Sequence, residues 1–263
     1  MRKHITSISN PLVKHLLLLQ KKSKLRKSEN EFIIEGVQEL NYAIEAKYTL
    51  KQVLVCNDVF ENNIQLDDLD CEVIDISQDV FEKIAYRSST GGVIAIAETK
   101  NLSLKDLNFK TKSPLILIAE APEKPGNIGA LLRTCDAANL DAVIIANPKT
   151  DLYNPNIIRS SVGTVFTNSI ATGSTSEIID YLTKNSIYIF AAALQDSSSY
   201  LKEDFTKATA IVVGTEDEGL SESWRSQAHK IIKIPMEGKV DSLNVSVSAS
   251  ILIFEAKRQR LNH

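Results

Sequence analysis

Hydrophobic and polar positions divide this chain into two stretches of alternating elements. In the first, Leu12, Leu16 and Leu19 recur at helical spacing and predict a helix over residues 12–27. Short apolar runs at Phe32–Glu35, Val53–Cys56, Cys71–Ile76 and Val93–Ala97 predict strands. A helix over Val37–Ala46 and another from a Ser77 cap to about Tyr86 lie among them. That alternation describes a small α/β module. Residues 99–113, rich in Lys, Asn, Thr and Ser and weakly periodic, read as a linker. In the second stretch Leu115–Ala119, Ala142–Ala146, Ile187–Ala192, Ala210–Val213 and Ile231–Ile234 are near-continuous apolar runs separated by helices. Such runs suit a parallel sheet buried on both faces. The expected organisation is a smaller α/β domain over 1–98 and a doubly wound α/β domain over 114–263.

Composition changes this picture little. A chain of 263 residues accommodates two ordinary domains, and 43% hydrophobic with 24% charged residues are globular values. No run reaches the roughly 18 apolar residues that span a bilayer, and no signal-type apolar core follows the N-terminus, so a cytoplasmic location is expected. Cys56, Cys71 and Cys135 form no CxxC pair, which suggests reduced thiols. His4, His15, His229 and His263 are scattered, none with metal-ligand spacing to a Cys, and no metal is expected.

Charge is more informative in its distribution than in its sum. A formal net charge of −3 is unlike a protein that binds RNA by bulk attraction. Yet Arg2, Lys3, Lys14, Lys21, Lys22, Lys24, Arg26 and Lys27 crowd the first thirty residues against the single acid Glu29. Lys257, Arg258 and Arg260 form a smaller basic end. Taken alone such clusters are solvated helix faces; in an RNA-handling protein they become phosphate-contacting surfaces.

Three segments carry candidate chemistry. Glu120-Ala-Pro-Glu-Lys-Pro-Gly-Asn-Ile-Gly-Ala-Leu-Leu-Arg-Thr-Cys135 follows a strand, with Gly126 and Asn127 where a helix begins and Asn a favoured cap. Ile211-Val-Val-Gly-Thr-Glu-Asp-Glu-Gly-Leu220 delivers a glycine to a strand end, where backbone can approach a ligand closely. Ile234-Pro-Met-Glu-Gly-Lys-Val-Asp-Ser-Leu-Asn-Val-Ser-Val-Ser248 ends a strand at a proline, turns near Gly238, and enters a helix through small polar residues. A dinucleotide-binding Gly-x-Gly-x-x-Gly is missing after the first strand of this half, where Gly126-Asn-Ile-Gly129 stands instead. Cys135 has no visible His partner and reads as a buried thiol.

Taken in order, Asn127-x-Gly-x-x-x-Arg133, Gly214-x-Glu-x-x-Gly-Leu220 and Ile234-Pro-Met with Ser242-Leu-Asn-Val-Ser246 resemble the SpoU/TrmH family of RNA ribose 2′-O-methyltransferases, in the SPOUT superfamily. The resemblance covers roughly residues 113–263. Ser7-Ile-Ser-Asn-Pro-Leu-Val-Lys14, Phe32-Ile-Ile-Glu-Gly-Val-Gln38 and Thr90-Gly-Gly-Val-Ile-Ala95 resemble more softly the substrate-binding module often fused in front; Thr90-Gly-Gly-Val stands where many relatives have Pro-Gln-Gly. The resemblance implies a deep trefoil knot in the C-terminal domain, S-adenosylmethionine as methyl donor, RNA as substrate and a homodimer formed through the knotted domain. It implies that Gly214, Ile234 and Leu243 contact the cofactor, largely through backbone. Arg133 is the implied catalytic group acting on the 2′-oxygen. Asn127 would position the ribose or Arg133, Glu216 would orient Arg133, and Ser242 and Asn244 match polar positions near the same site. Read as residues alone, Ile234 and Leu243 are ordinary core, and Ser242 and Asn244 are helix caps. Ribosomal RNA is the expected substrate; a tRNA substrate, or a non-catalytic RNA-binding or ribosome-assembly protein of this fold, stays open.

Overall fold

The computed structural model describes residues 2–60, 64–86, 91–215 and 217–261. Two compact units emerge, one of residues 1–101 with 151–167, the other of 102–150 with 168–263. The first opens with β1 (Lys3–Ile5), α1 (Pro11–Lys21), α2 (Ser23–Glu29), β2 (Glu31–Glu35), α3 (Val37–Glu45), β3 (Leu50–Val55), β4 (Glu72–Ile76), α4 (Gln78–Ile84) and β5 (Val93–Glu98). Its strands lie in the order β1-β4-β3-β5-β2, with β5 antiparallel to both neighbours and the other pairs parallel. Val13, Leu16 and Leu19 of α1 pack into a core with Ile33, Ile74 and Phe81.

Local chemistry explains where these helices start and stop. The Asn10 side chain accepts the Leu12 N–H at 2.9 Å, and Pro11 takes the first helical position, where no N–H is needed. The helix expected over 12–27 is broken at Lys22, whose extended backbone (φ −113°, ψ 101°) separates α1 from α2. Ser77 precedes α4 as expected but makes no side-chain cap bond; its buried Oγ has no partner among the described residues.

After residue 101 the chain enters the second unit with β6 (Leu115–Glu120), α5 (Pro125–Ala137) and β7 (Ala142–Ala146). It then returns to the first unit for α6 (Pro155–Ser160) and α7 (Thr164–Thr167). The second unit resumes with β8 (Ile170–Gly173), α8 (Thr175–Lys184), β9 (Tyr188–Ala192), β10 (Ser198–Ser199), β11 (Thr209–Val213), α9 (Glu222–Gln227), β12 (Lys230–Lys233) and α10 (Val245–Arg260). All its strand pairs are parallel, in the order β10-β12-β9-β11-β6-β7-β8. Ile116, Ile144, Ile189, Val212 and Trp224 fill one face of that sheet. The five apolar runs of the sequence are the five central strands β12, β9, β11, β6 and β7; β8 and β10 are too short or too polar to stand out.

The excursion of residues 151–167 has clear physical anchors in the first unit. Tyr153 stacks on Phe32 with ring centroids 4.4 Å apart, and its hydroxyl meets that of Tyr48 at 3.3 Å. Phe166 meets the Tyr48 ring edge-on at 5.1 Å. Arg26 is buried: its Nε and Nη2 both reach the Asp151 carboxylate at 2.6 Å, and its Nη1 donates to the Leu19 carbonyl at 2.6 Å. Arg26 therefore leaves the basic surface expected of the N-terminal cluster, whereas Lys14, Lys21, Lys22, Lys24 and Lys27 are exposed. α6 ends in a Schellman motif, with Gly163 N–H donating to the Ile158 carbonyl and Val162 N–H to that of Arg159, both at 3.0 Å. The left-handed position is held by Val162 (φ +54°), a β-branched residue in a conformation that normally favours glycine.

With side-chain exposures of 3% and 6%, the Arg26–Asp151 pair is shielded from bulk solvent. Arg26→Leu strands a buried carboxylate and is expected to lower unfolding stability by about 3–5 kcal/mol. Urea denaturation measures this, and an unchanged midpoint would remove the pair from its anchoring role.

Candidate active site

In the second unit every strand points the same way, so the loops after β9, β11 and β12 open on one edge of the sheet. There they enclose a cleft of about 340 Å³. Its walls are Ala192–Gln195 from the end of β9, Val213–Thr215 and Asp217–Leu220 around and after the end of β11, Ile232–Ile234 and Met236 from β12 onward, and Asp241–Leu243 before α10. Gly214, Ile234, Leu243 and Ser242, four residues singled out by sequence, all line it. Glu216 lies outside the described residues.

The Gly-x-Glu-x-x-Gly block is a tight turn with a steric reason for its first glycine. Thr215 and Gly219 exchange backbone hydrogen bonds of 3.1 and 3.2 Å, and Gly219 sits at φ +68°. The turn folds back so closely that a Cβ on Gly214 would stand 2.2 Å from the Gly219 carbonyl. Sequence reasoning gave Gly214 the task of leaving room for a ligand; the space is taken first by the protein's own backbone. Behind the turn, the buried carboxylate of Glu120 at the end of β6 accepts from Ser221 N–H (2.8 Å), Ser221 Oγ (2.7 Å) and Thr175 Oγ1 (3.2 Å).

The polar residues of the first and third blocks meet at the starts of two helices. Asn127 is not the cap of α5: Lys124 precedes the helix, Pro125 opens it, and Asn127 lies within the first turn. Its Oδ1 accepts from Asn244 Nδ2 at 3.3 Å. Asn244 is the cap of α10, its Oδ1 accepting the Ser246 N–H at 3.0 Å and the Ser246 hydroxyl at 2.6 Å. About two turns further along, Thr134 Oγ1 and Ser250 Oγ lie 3.0 Å apart. Two such contacts in the same order along both chains mean that α5 and α10 run side by side in the same direction. Arg133, adjacent to Thr134, is exposed, and no described residue forms a hydrogen bond or ion pair with it. Ser242 is also exposed, and its hydroxyl makes a long 3.4 Å bond to Asp241.

Cys135 is buried, and burial followed by the Asp136 charge pushes its thiol far above the ordinary range, so no thiolate nucleophile forms there. Arg225 was invisible in the sequence because no motif marks it. It lines the cleft, with Nη2 donating to Glu222 at 2.7 Å and a buried Nε without a partner among the described residues. The charged lining is Asp217, Glu218 and Asp241 against Arg225 and Lys233.

A parallel α/β sheet with a cleft at its carboxyl edge, walled by a glycine turn and a polar helix start, defines a small-ligand-binding enzyme domain, here joined to a smaller α/β unit. The chain belongs to the SpoU rRNA Methylase family, whose model matches residues 114–254. Residues 10–95 match the MRM3-like substrate binding domain. Among similar proteins is the 23S rRNA (guanosine(2553)-2′-O)-methyltransferase RlmP of Bacillus subtilis, 27% identical over 97% of this chain and 99% of its own length. The 23S rRNA (guanosine-2′-O-)-methyltransferase RlmB of Vibrio vulnificus is 34% identical over 67% of this chain and 74% of its own. A crystal structure of an RNA 2′-O ribose methyltransferase superposes with a TM-score of 0.85 at 38% identity, covering 98% of this chain and 99% of that one. An AdoMet-bound rRNA methyltransferase from Sinorhizobium meliloti gives 0.88 at 26% identity, covering 97% of each chain.

Gly214→Ala forces backbone to move, because the atoms a Cβ would meet are main-chain atoms of Gly219 and Leu220. The expected loss is about 1–3 kcal/mol of unfolding stability. A urea midpoint equal to that of the native protein would show that the turn has slack.

Proposed function

We propose that this protein transfers the methyl group of S-adenosylmethionine to a ribose 2′-hydroxyl of ribosomal RNA. The observation that carries the reading is convergence: Gly214 of the second block and Ile234 and Leu243 of the third wall one cleft, and Asn127 of the first meets Asn244 where α10 leaves it. The cleft fits the donor. Ile234, Leu243 and Leu220 supply apolar walls for a flat base, backbone of the 214–219 turn supplies polar groups, and Asp217, Glu218 and Asp241 favour a cation. Bound there, the donor supplies a methyl group already activated by its sulfonium charge.

What remains for the protein is orientation and charge stabilisation. A guanidinium is a cationic donor rather than a proton acceptor, so Arg133 suits an electrostatic role better than that of a base. In this mechanism its guanidinium holds the phosphate beside the target ribose and stabilises negative charge growing on the 2′-oxygen. Its exposure leaves it accessible to RNA. Asn127, held by Asn244, positions the ribose; Ser242 adds a hydroxyl at the cleft wall, and Glu216 orients Arg133. The exposed lysines of α1 and α2 contact RNA phosphates. As a ribosomal RNA enzyme it works in the cytoplasm.

The working form is a homodimer. Val247, Phe254 and Leu261 are exposed apolar residues seven apart along α10 and just beyond its end, and that period keeps them on one face of a helix. A second copy of the same face covers them in this reading. Phe254→Glu is expected to yield monomer at micromolar concentration by light scattering coupled to gel filtration; a persistent dimer would place the interface elsewhere.

The activity is tested by transfer of labelled methyl to ribosomal RNA from cells lacking the protein, with nuclease mapping of the label. A single 2′-O-methylated nucleotide is the expected product. Arg133→Ala is expected to lower transfer about 100-fold or more while leaving cofactor affinity, read by calorimetry, nearly unchanged. Near-normal turnover by that variant would exclude Arg133 from catalysis.

A further inference from the structure

We infer that the first unit holds a second binding site, distinct from the methyl-transfer cleft, for an unstacked nucleotide of the RNA substrate. The inference rests on the RNA-methyltransferase reading above and adds to it where the RNA is gripped. A cavity of about 480 Å³, well within the size range of ligand pockets, opens in this unit. Five pieces of chain line it: the end of α1 (Gln20, Lys21), the β2–α3 turn (Glu35–Glu39), Tyr86 beyond α4, Gly91 before β5, and α6 (Asn156, Arg159). They come together because the 151–167 excursion brings α6 into the unit.

The chemistry of the lining points to a base. Tyr86 is 66% exposed, unusual for so large a ring, and the Arg159 guanidinium lies 3.7 Å above its centroid. A ring layered with a guanidinium plane is the kind of surface on which splayed-out RNA bases stack. Both layers are fixed in place. The Tyr86 N–H donates to the Glu35 carboxylate at 2.7 Å, Arg159 Nη2 donates to Asn156 Oδ1 at 2.7 Å, and the Schellman motif pins the end of α6.

The rest of the lining discriminates between ligands. Glu35 and Glu39 oppose a free phosphate or other small anion, whereas carboxylates suit the N–H donors on a base edge. Gln38 and Asn156 add side-chain amides, with Gln38 Nε2 donating to the Val162 carbonyl at 3.3 Å and Asn156 Oδ1 accepting from Arg159. Lys21, an exposed residue of the lining followed by exposed Lys22 and Lys24, supplies positive charge for the sugar-phosphate chain. Gly36, at φ +112°, keeps backbone bare at the turn; a Cβ there would stand 2.3 Å from the Glu39 carboxylate.

Fluorescence anisotropy of the full-length protein with two labelled RNA hairpins, one carrying an unpaired bulge and one fully paired on the same stem, tests the assignment. The native protein is expected to prefer the bulged hairpin. Tyr86→Ala should weaken that binding about tenfold and leave the paired hairpin and cofactor affinity unchanged, while Tyr86→Phe, which keeps the ring, retains the preference. A native protein without preference, or a Tyr86→Ala variant that keeps it, overturns the site. Methyl transfer to ribosomal RNA measured on the same preparations separates the two ideas. If transfer proceeds while the preference is absent, only this site falls; if no RNA is methylated, the enzymatic reading falls with it.

Discussion

A carboxylate buried at the end of a strand must find hydrogen-bond donors, and the donors that Glu120 finds fix the geometry of the cleft. Its oxygens hold the backbone and hydroxyl of Ser221, the residue that closes the turn after β11, and the hydroxyl of Thr175 at the start of α8. Losing these donors would leave a charge with 6% exposure unsatisfied, a cost of several kcal/mol. The turn from Gly214 to Leu220 is thus held from behind by Glu120 and from within by the Thr215–Gly219 pairing.

The second constraint is direction. Because the strands are parallel, α5 and α10 leave the same edge of the sheet and run together, which joins Asn127 to Asn244 across 117 residues of sequence. In the proposed mechanism the polar end of this helix pair faces RNA, and the strand-end loops take the cofactor. Arg133 stands on the outward side of α5, exposed, beside residues that lock the two helices together. A guanidinium mounted on a packed helix keeps a defined position while its donors stay in water until substrate arrives.

The interleaved chain gives the smaller unit a role that a separate, beads-on-a-string module could not have. Residues 151–167 leave the larger unit after β7 and are fastened in the smaller one by the Arg26–Asp151 pair and by Tyr153 among Phe32, Tyr48 and Phe166. The same excursion supplies Asn156 and Arg159 to the proposed nucleotide site. The Val162 conformation, accepted at the end of α6, is a local cost that the surrounding packing sustains.

Much of this was written in the chain. Buried parallel strands have to be apolar along their whole length, so β6, β7, β9, β11 and β12 are legible as runs of Val, Ile, Leu and Ala. The resemblance of three ordered motifs to the SpoU/TrmH family singled out Gly214, Ile234, Leu243 and Ser242, whereas Ile234, Leu243 and Ser242 alone read as core and a helix cap. The sequence could not show that Gly214 is required by Gly219, that Asn127 is a partner of Asn244 rather than a cap, or that Arg26 is buried among its exposed basic neighbours. Nor could it show Glu120 as a clamp, Arg225 at the cleft, or Tyr86 under Arg159. Each of these is a contact between segments far apart in the chain, made by side chains whose local context is unremarkable. Local rules act over a few residues and can be read from the order of amino acids; which distant groups share a desolvated space is decided only when the strands, helices and the 151–167 excursion are packed together.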